Sequence, residues 1–175
     1  MNNVLVSMTD TPRPKLMRPV AQRQSLTLDD QAVDALTDFT REHPLTIDEH
    51  RPIDVALEDM IRFGVRALMV MQEHRVVGLI TSYDIQGERP MQLLQRSIYS
   101  KHDEIRVRDI MTVWEDLPIL ERRSVLHANI AELLDMFHGT RLMYLVVIEQ
   151  DASGTLCVCG LISRTQLERQ LKHPR

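Results

Sequence analysis

A short motif occurs twice in the chain and constrains its fold more than any other feature. Residues 78–85 read GLITSYDI, and residues 160–167 read GLISRTQL. In each copy an apolar run ends at a hydroxyl residue, Thr81 or Ser163, a pattern typical of a strand that leads into a capped helix. Each copy also closes a longer series of elements, so the sequence predicts two structural repeats.

The predicted elements follow the order β-α-β-β-α in both halves. In the first half, strands cover 44–47, 67–71 and 76–80, a helix runs from Pro52 to the stop at Gly64, and Thr81 begins a second helix. In the second half, strands cover 117–120, 142–148 and 156–162, a helix stops at Gly139, and the last helix begins near Ser163. The first helix is predicted to bury one apolar face, formed by Ile53, Ala56, Leu57, Met60 and Ile61.

A single unit of about 50 residues buries too little surface to be stable alone. Two such units that face each other share a core, and a pseudo-twofold axis then relates them. The sequence therefore predicts an α/β fold of the α+β type, with residues 38–89 as the first repeat and 105–175 as the second.

The segments outside the repeats are predicted to be an arm and a linker. Residues 1–37 form an N-terminal arm and a short helix, which opens at 27–30 and carries Ala32, Val33, Leu36 and Phe39. Within residues 1–26 the prolines and basic residues favour a solvated tail or strap, with docking to an acidic partner or nucleic acid as the alternative. Residues 90–104 form a linker with an amphipathic helix from Pro90, whose apolar side carries Met91, Leu94 and Ile98.

The composition excludes several classes of function. The 175 residues are 43% hydrophobic with a formal charge of −4, which is typical of a globular protein and argues against general nucleic-acid binding. The apolar run 142–148 is far too short to cross a membrane, and the first ten residues do not resemble a signal peptide. Cys157 and Cys159 have neither disulfide nor metal spacing, so we expect buried, reduced thiols in a cytoplasmic protein.

No catalytic motif is present. The chain has no nucleophile elbow, no phosphate-binding loop and no paired-histidine metal motif, and its seven histidines are scattered without the spacing of metal ligands. We therefore expect a protein that is not an enzyme and holds no metal.

The two halves resemble a tandem pair of CBS domains, the cystathionine β-synthase type, over residues 38–171. The likeness is carried by IDVALEDMIRFGVRALMVM and VVGLITSYDI, by VRDIMT, and by IAELLDMFHGTRLMYLVVI and VCGLISRTQL. Relatives of this type bind AMP, ADP, ATP or S-adenosylmethionine between the repeats and regulate an attached or associated protein. The resemblance implies a stand-alone regulatory module without a required cofactor.

The resemblance assigns a first ligand cleft around Thr81 and Asp84. Thr81 would contact a phosphate and Asp84 the ribose hydroxyls, although the same pair also fits an ordinary helix cap. Arg66 would reach the phosphates, unless it is only a surface arginine. Leu79 and Ile80 would form an apolar wall, and the opposite repeat would supply His127, Leu142 and Met143, with a surface role for His127 as the alternative.

The second cleft departs from this pattern at one position. Ser163, Leu161 and Arg141 repeat the hydroxyl, the apolar wall and the cation, but Gln166 replaces the ribose-binding acid. We therefore expect the stronger nucleotide site around Thr81 and Asp84, and a weak or empty site around Ser163.

Three functions remain open at this point. The first is a nucleotide-sensing module that acts in trans on an unidentified protein partner, and the second is a ligand-free module for interaction. The third is nucleic-acid association through the basic arm. Because the family usually dimerises, a twofold-symmetric homodimer is expected as well.

Overall fold

The computed structural model describes residues 25–96 and 98–171 as eight strands and seven α-helices. The strands are β1 (Leu36–Asp38), β2 (Thr46–Asp48), β3 (Ala67–Gln72), β4 (Arg75–Thr81), β5 (Thr112–Val113), β6 (Ile119–Glu121), β7 (Tyr144–Gln150) and β8 (Leu156–Ser163). The helices are α1 (Ile53–Phe63), α2 (Ser82–Gln86), α3 (Glu88–Gln95), α4 (Val107–Ile110), α5 (Arg122–His127), α6 (Ile130–Phe137) and α7 (Arg164–Gln170). Short 3-10 helices cover Ala32–Ala35, His102–Glu104 and Trp114–Asp116.

The strands form two sheets that repeat one another. In the first sheet the order is β2-β3-β4-β5, with a parallel β2–β3 pair and an antiparallel β3–β4 hairpin. In the second sheet the order is β1-β8-β7-β6, with a parallel β6–β7 pair and an antiparallel β7–β8 hairpin. The register of each hairpin shifts at the same place, between Val70 and Met71 and between Val147 and Ile148. The predicted pair of α/β repeats is confirmed.

Each sheet receives its edge strand from outside its own repeat. β1 precedes the first repeat but pairs with β8 of the second sheet, and β5 follows the linker but pairs with β4 of the first sheet. The predicted boundaries at residues 38 and 105 therefore do not coincide with the edges of the two sheets. These exchanged strands connect the two halves through backbone hydrogen bonds as well as through side-chain packing.

The glycine of the repeated motif lies where the exchanged strand passes. A Cβ atom on Gly78 would lie 2.5 Å from the carbonyl oxygen of Thr112 in β5. A Cβ atom on Gly160 would lie 2.8 Å from the carbonyl oxygen of Thr37 in β1. Since real side chains do not tolerate such distances, both copies of the motif need glycine for the close approach of a neighbouring backbone.

Three clusters of apolar side chains hold the structure together. One lies under each sheet: Ile53, Met60 and Ile80 belong to the first, and Phe137 and Ile162 belong to the second. The third lies between the sheets and combines residues from both repeats, namely Met69, Leu79, Leu117, Tyr144 and Val146. The shared core predicted from the repetition is present.

The first helix of each repeat has the predicted limits and most of the predicted face. Ile53, Ala56 and Met60 of α1 are buried, and Gly64 ends the helix in the left-handed conformation with φ 68°. Ile61 was predicted on the same face but is 73% exposed, because it follows Met60 directly and lies on the flank of the helix. In the second repeat α6 ends at Phe137, and Gly139 adopts φ 69° shortly afterwards.

Two predictions for the flanking segments are wrong. Leu36 and Phe39 do not extend a helix, because the chain leaves the 3-10 turn at Leu36 and pairs with the open edge of β8. The linker helix begins at Glu88, directly after α2, and buries Pro90, whereas Met91 and Ile98 are exposed. Most of the predicted basic arm, residues 1–24, lies outside the described residues.

The cysteine prediction is half correct. Cys159 is buried, but Cys157 is exposed, although two residues apart in a regular strand share a face. The register shift explains the difference: Val158 pairs with Ile148 and Gly160 with Val147, so Cys159 is the extra residue of a bulge. In the described part of the chain, none of the helices has the length and apolar character of a membrane span.

Candidate functional site

The predicted first cleft contains a complete capping box. Asp84 Oδ2 accepts hydrogen bonds from the Thr81 backbone N–H at 2.9 Å and from the Thr81 hydroxyl at 2.7 Å, and the Asp84 N–H returns a bond at 3.2 Å. The other carboxylate oxygen lies 3.7 Å from the Arg89 guanidinium. Thr81 is only 8% exposed. The carboxylate assigned to a ribose is therefore already engaged by the protein.

The second copy of the motif is capped more weakly. The Gln166 N–H donates to the Ser163 hydroxyl at 3.4 Å, without the reciprocal bond from the Gln166 side chain that its sequence pattern predicts. A neutral amide is a weaker acceptor than a carboxylate, which explains why only the Thr81–Asp84 pair closes the box. The side chain of Gln166 is thus left without a bond in this cap.

A cavity of about 700 Å³ opens beside Ser163 and Gln166. Its lining combines both repeats, because Val65 and Arg66 precede β3 of the first repeat, and Tyr144 begins β7 of the second. Its volume is in the range of small-molecule sites. Thr81 and Asp84 are not part of its lining. The full lining is Leu36, Thr37, Phe39, Glu42, His43, Pro44, Leu45, Phe63, Gly64, Val65, Arg66, Ala67, Met69, Leu79, Tyr144, Leu161, Ser163, Thr165, Gln166, Arg169 and Gln170.

The two arginines predicted to be equivalent lie in different places. Both follow a helix-stopping glycine by two residues, but the connection to the next strand is longer in the second repeat. The carbonyl of Arg66 accepts the N–H of Ser82, whereas in the second repeat it is the carbonyl of Met143 that accepts the N–H of Arg164, each at 3.0 Å. Met143, not Arg141, is therefore the backbone counterpart of Arg66. Arg141 is exposed and does not line the cavity.

Arg66 connects the cavity to the neighbouring helix of the first cleft. Its guanidinium donates a hydrogen bond to the Tyr83 hydroxyl in α2 at 3.3 Å, and the residue is otherwise exposed. In the described part of the chain it forms no ion pair with a carboxylate. Its positive charge is thus available to an anion in the cavity.

Tyr144 is a site residue that the sequence did not reveal. It is 9% exposed, and burial, with the neighbouring Tyr83 phenol, raises its pKa to about 12. The phenol is therefore neutral at physiological pH and remains a hydrogen-bond donor. The corresponding position of the first repeat is Ala67, since both residues pair with the hydroxyl residue at the end of the motif. The presence of a tyrosine where the first repeat has an alanine is the sequence difference that could have indicated this residue.

The other predicted site residues are divided between the cavity and the cores. Leu79 and Leu161 line the cavity, on opposite sheets. Ile80 is fully buried in the first core, Leu142 packs against the second core, and Met143 packs against the shared core. His127 is the exposed last residue of α5. The structure thus brings Arg66 and Leu79 together with Ser163, Gln166 and Leu161. The sequence had predicted Arg66 and Leu79 beside Thr81 and Asp84 instead.

A family model places these elements among known proteins. The model that describes the CBS domain matches residues 36–89, which run from β1 to the start of α3. The first repeat is thus similar to a CBS domain. The CBS match covers the first repeat, and the second repeat has the same strand order, register shift and motif glycine.

Solved structures show that the whole fold is that of a CBS pair. The CBS-pair protein CBSX2 from Arabidopsis thaliana is 23% identical, with 81% of this chain and 93% of that chain covered and a TM-score of 0.52. The structure of CBSX2 in complex with AMP is 21% identical, covers 80% of this chain and 94% of that chain, and has a TM-score of 0.53. A CBS-domain containing protein from Agrobacterium tumefaciens is 15% identical, with 82% of this chain and 94% of that chain covered and a TM-score of 0.57.

Proposed function

We propose that this CBS pair is a regulatory module that binds an adenosine-containing nucleotide between its repeats and acts on a separate protein. The observation that carries the proposal is the cavity beside Ser163, which combines residues of both repeats with an unpaired arginine. The complex of the similarly folded CBSX2 with AMP supports the choice of ligand class. A ligand that contacts both repeats can change their relative arrangement, which is what a partner protein would sense.

The cavity offers a group for each part of a nucleotide. Leu45, Val65 and Leu79 provide apolar surface for the base. The Arg66 guanidinium suits a phosphate, since arginine donates charge-assisted hydrogen bonds to phosphate oxygens. The Ser163 hydroxyl and the Gln166 amide suit the sugar, whose hydroxyls both donate and accept.

The ranking of the two clefts is part of the proposal. The sequence favours the Thr81–Asp84 cleft because only that cleft keeps the acid, and this assignment stays a prediction. The geometry favours the Ser163 cavity instead, because Asp84 already holds two hydrogen bonds from Thr81 and lies next to Arg89. A ribose in the first cleft would have to displace these contacts, whereas Gln166 is free to meet one.

A ligand-free interaction module is the second candidate, and exposed apolar side chains favour it. Ile61 and Phe63, at the end of α1, are 73% and 53% exposed. We propose that this helix end packs against a second copy in a homodimer, since such side chains lose water contact on association. Sedimentation at micromolar concentration should show a dimer, and a monomer alone would contradict the proposal.

Two further properties belong to the proposal. The module acts as a regulator and not as a catalyst, and it works in the cytoplasm, where the exposed thiol of Cys157 stays reduced. Nucleic-acid binding is not part of the proposed function.

Thermal melting tests the function directly. The protein would be melted alone and with AMP, ADP, ATP, S-adenosylmethionine or GTP. A ligand at about 100 times its dissociation constant stabilises the folded state by about 2.7 kcal/mol, which raises the melting temperature by several degrees. Stabilisation by an adenosine compound and not by GTP is expected. The absence of a shift with every compound would favour the ligand-free module.

A further inference from the structure

The cavity continues beyond the repeated motif to the last turn of α7. Ser163, Gln166 and Gln170 are spaced by three and four residues, so they follow one side of the helix. Arg169 and Gln170 both belong to the cavity lining. The first repeat has no such extension, because α2 ends at Gln86 after five residues. Arg169 and Gln170, which follow the motif at residues 160–167, therefore belong to the second cleft alone.

The charge of the lining favours an anion. It contains two arginines, Arg66 and Arg169, against one carboxylate, Glu42, with His43 next to it. In the residues that the structure describes, neither arginine lies within 4.0 Å of a carboxylate oxygen. Two unpaired guanidiniums in one cavity repel each other and attract a ligand with more than one negative charge.

Gln170 carries an unused acceptor. Its Oε1 atom is buried and is the one buried side-chain oxygen or nitrogen among the described residues without a hydrogen-bond partner. Burial of an unpaired acceptor destabilises a folded protein.

We propose that the cavity selects a nucleoside with two or more phosphates over a nucleoside monophosphate or S-adenosylmethionine. Arg66 binds one phosphate and Arg169 binds a further one. The sulfonium of S-adenosylmethionine is positive and would be repelled by the same two arginines. This inference rests on the proposed function and adds the ligand class to it.

Calorimetry with ADP and AMP tests the role of Arg169. Wild-type protein should bind ADP at least about tenfold more tightly than AMP, the effect of one charge-assisted contact. Arg169→Gln should lose this preference and bind AMP as before. Arg123→Gln is the matched control, because Arg123 is 80% exposed, pairs with Glu121 and is not part of the lining. The inference is overturned if Arg169→Gln keeps the ADP preference, or if S-adenosylmethionine binds as tightly as ADP.

Gln170→Leu is a second control, next to Arg169 in the lining. Without ligand, this variant should melt at a higher temperature than wild type, because it removes an unpaired buried acceptor. It should keep the preference for ADP over AMP, because it leaves both arginines in place. Loss of that preference in Gln170→Leu would contradict the role assigned to the charge of Arg169.

Inorganic pyrophosphate distinguishes failure of this inference from failure of the proposed function. It carries the charge of a diphosphate without the nucleoside. If pyrophosphate binds through Arg169 and no nucleotide binds, the anion preference stands and the nucleotide function is wrong. If neither pyrophosphate nor any nucleotide binds, both are wrong. If nucleotides bind with no dependence on Arg169, the function stands and the diphosphate inference is wrong.

Discussion

The two repeats share one backbone plan but differ at the point where a ligand would enter. Both have the same strand order, the same hairpin register shift and the same glycine beside an exchanged strand. At the clefts, Asp84 closes a capping box in the first repeat, whereas Gln166 leaves Ser163 with one weak bond in the second. A duplicated fold thus keeps its backbone constraints in both copies while the polar groups between the copies diverge.

The length of one connection accounts for much of the difference. Between the helix-stopping glycine and the next strand the second repeat has more residues than the first, so Arg66 corresponds to Met143 in the backbone and Ala67 to Tyr144. The Ser163 cavity consequently receives a cation from the first repeat and a phenol from the second. Residues of the two repeats are therefore equivalent only when they occupy the same register on their strands.

Substitutions beside the exchanged strands should have the largest effect on stability in both repeats. Gly78→Ala brings a methyl group within 2.5 Å of a β5 carbonyl, and Gly160→Ala within 2.8 Å of a β1 carbonyl and 2.6 Å of the Leu36 side chain. Each should lower the free energy of unfolding by about 1–3 kcal/mol. Gly78→Ala should cost more, because its shortest contact is to backbone that cannot turn away. Urea denaturation measures both, and wild-type stability of either variant would contradict the close approach.

Removal of the helix caps at Thr81 and Ser163 should have smaller and unequal effects on stability. Thr81→Ala removes a reciprocal box and should lower the free energy of unfolding by about 1–2 kcal/mol, whereas Ser163→Ala removes one 3.4 Å bond and should cost about 0.5 kcal/mol. Denaturation of both variants under one condition gives the difference. Equal losses would mean that the two caps are equivalent in solution.

The second sheet should lose stability at low pH, and the first sheet has no equivalent group among the described residues. The Arg122 guanidinium, with hydrogen bonds from Thr40, holds the pKa of Asp38 well below its usual value of 3.8. Because the folded pKa is lowered, the ionised carboxylate stabilises the fold above about pH 3.8 and loses this contribution as the pH falls below that value. The counterpart of Asp38 in the first sheet is Val113, which has no charge to titrate.

Melting curves of wild type and Asp38→Asn between pH 7 and pH 3 should show this loss. The wild type should melt higher at pH 7, and the gap should narrow as the pH falls below the ordinary pKa of aspartate. Asp34→Asn, which changes an exposed acid in the 3-10 turn, is the control and should show no such trend. A gap that stays constant with pH would mean that the Asp38–Arg122 pair does not stabilise the fold.

Local sequence patterns predicted the repeated helices and strands. The features that these patterns missed depend on contacts between residues far apart in the chain. The spacing of Ile53, Ala56 and Met60 and the glycine after the helix are local signals, and α1 follows them. The strand at Leu36 was missed because its partner, Ile162, lies far along the chain and no local pattern reports it. The burial predicted for Cys157 is wrong, because a bulge at Cys159 interrupts the alternation of the strand.

The candidate site was predictable in its parts but not in its grouping. The motif predicted Leu79 in the first cleft and Ser163, Gln166 and Leu161 in the second, and all four line one cavity. Counting from the glycines suggested that Arg66 and Arg141 are equivalent, and only the strand register shows that they are not. Arg169 and Gln170 lie past the motif, so no pattern that ends with the motif could include them.

Calorimetric titration of ADP into wild type, Arg66→Gln and Asp84→Asn shows which of the two clefts binds the nucleotide. If the nucleotide occupies the Ser163 cavity, Arg66→Gln should weaken binding about tenfold or more, since a charge-assisted contact is lost. Asp84→Asn should stay within about threefold of wild type, because Asp84 does not line the cavity. Binding that is abolished by Asp84→Asn and unaffected by Arg66→Gln would mean that the nucleotide occupies the Thr81–Asp84 cleft and not the Ser163 cavity.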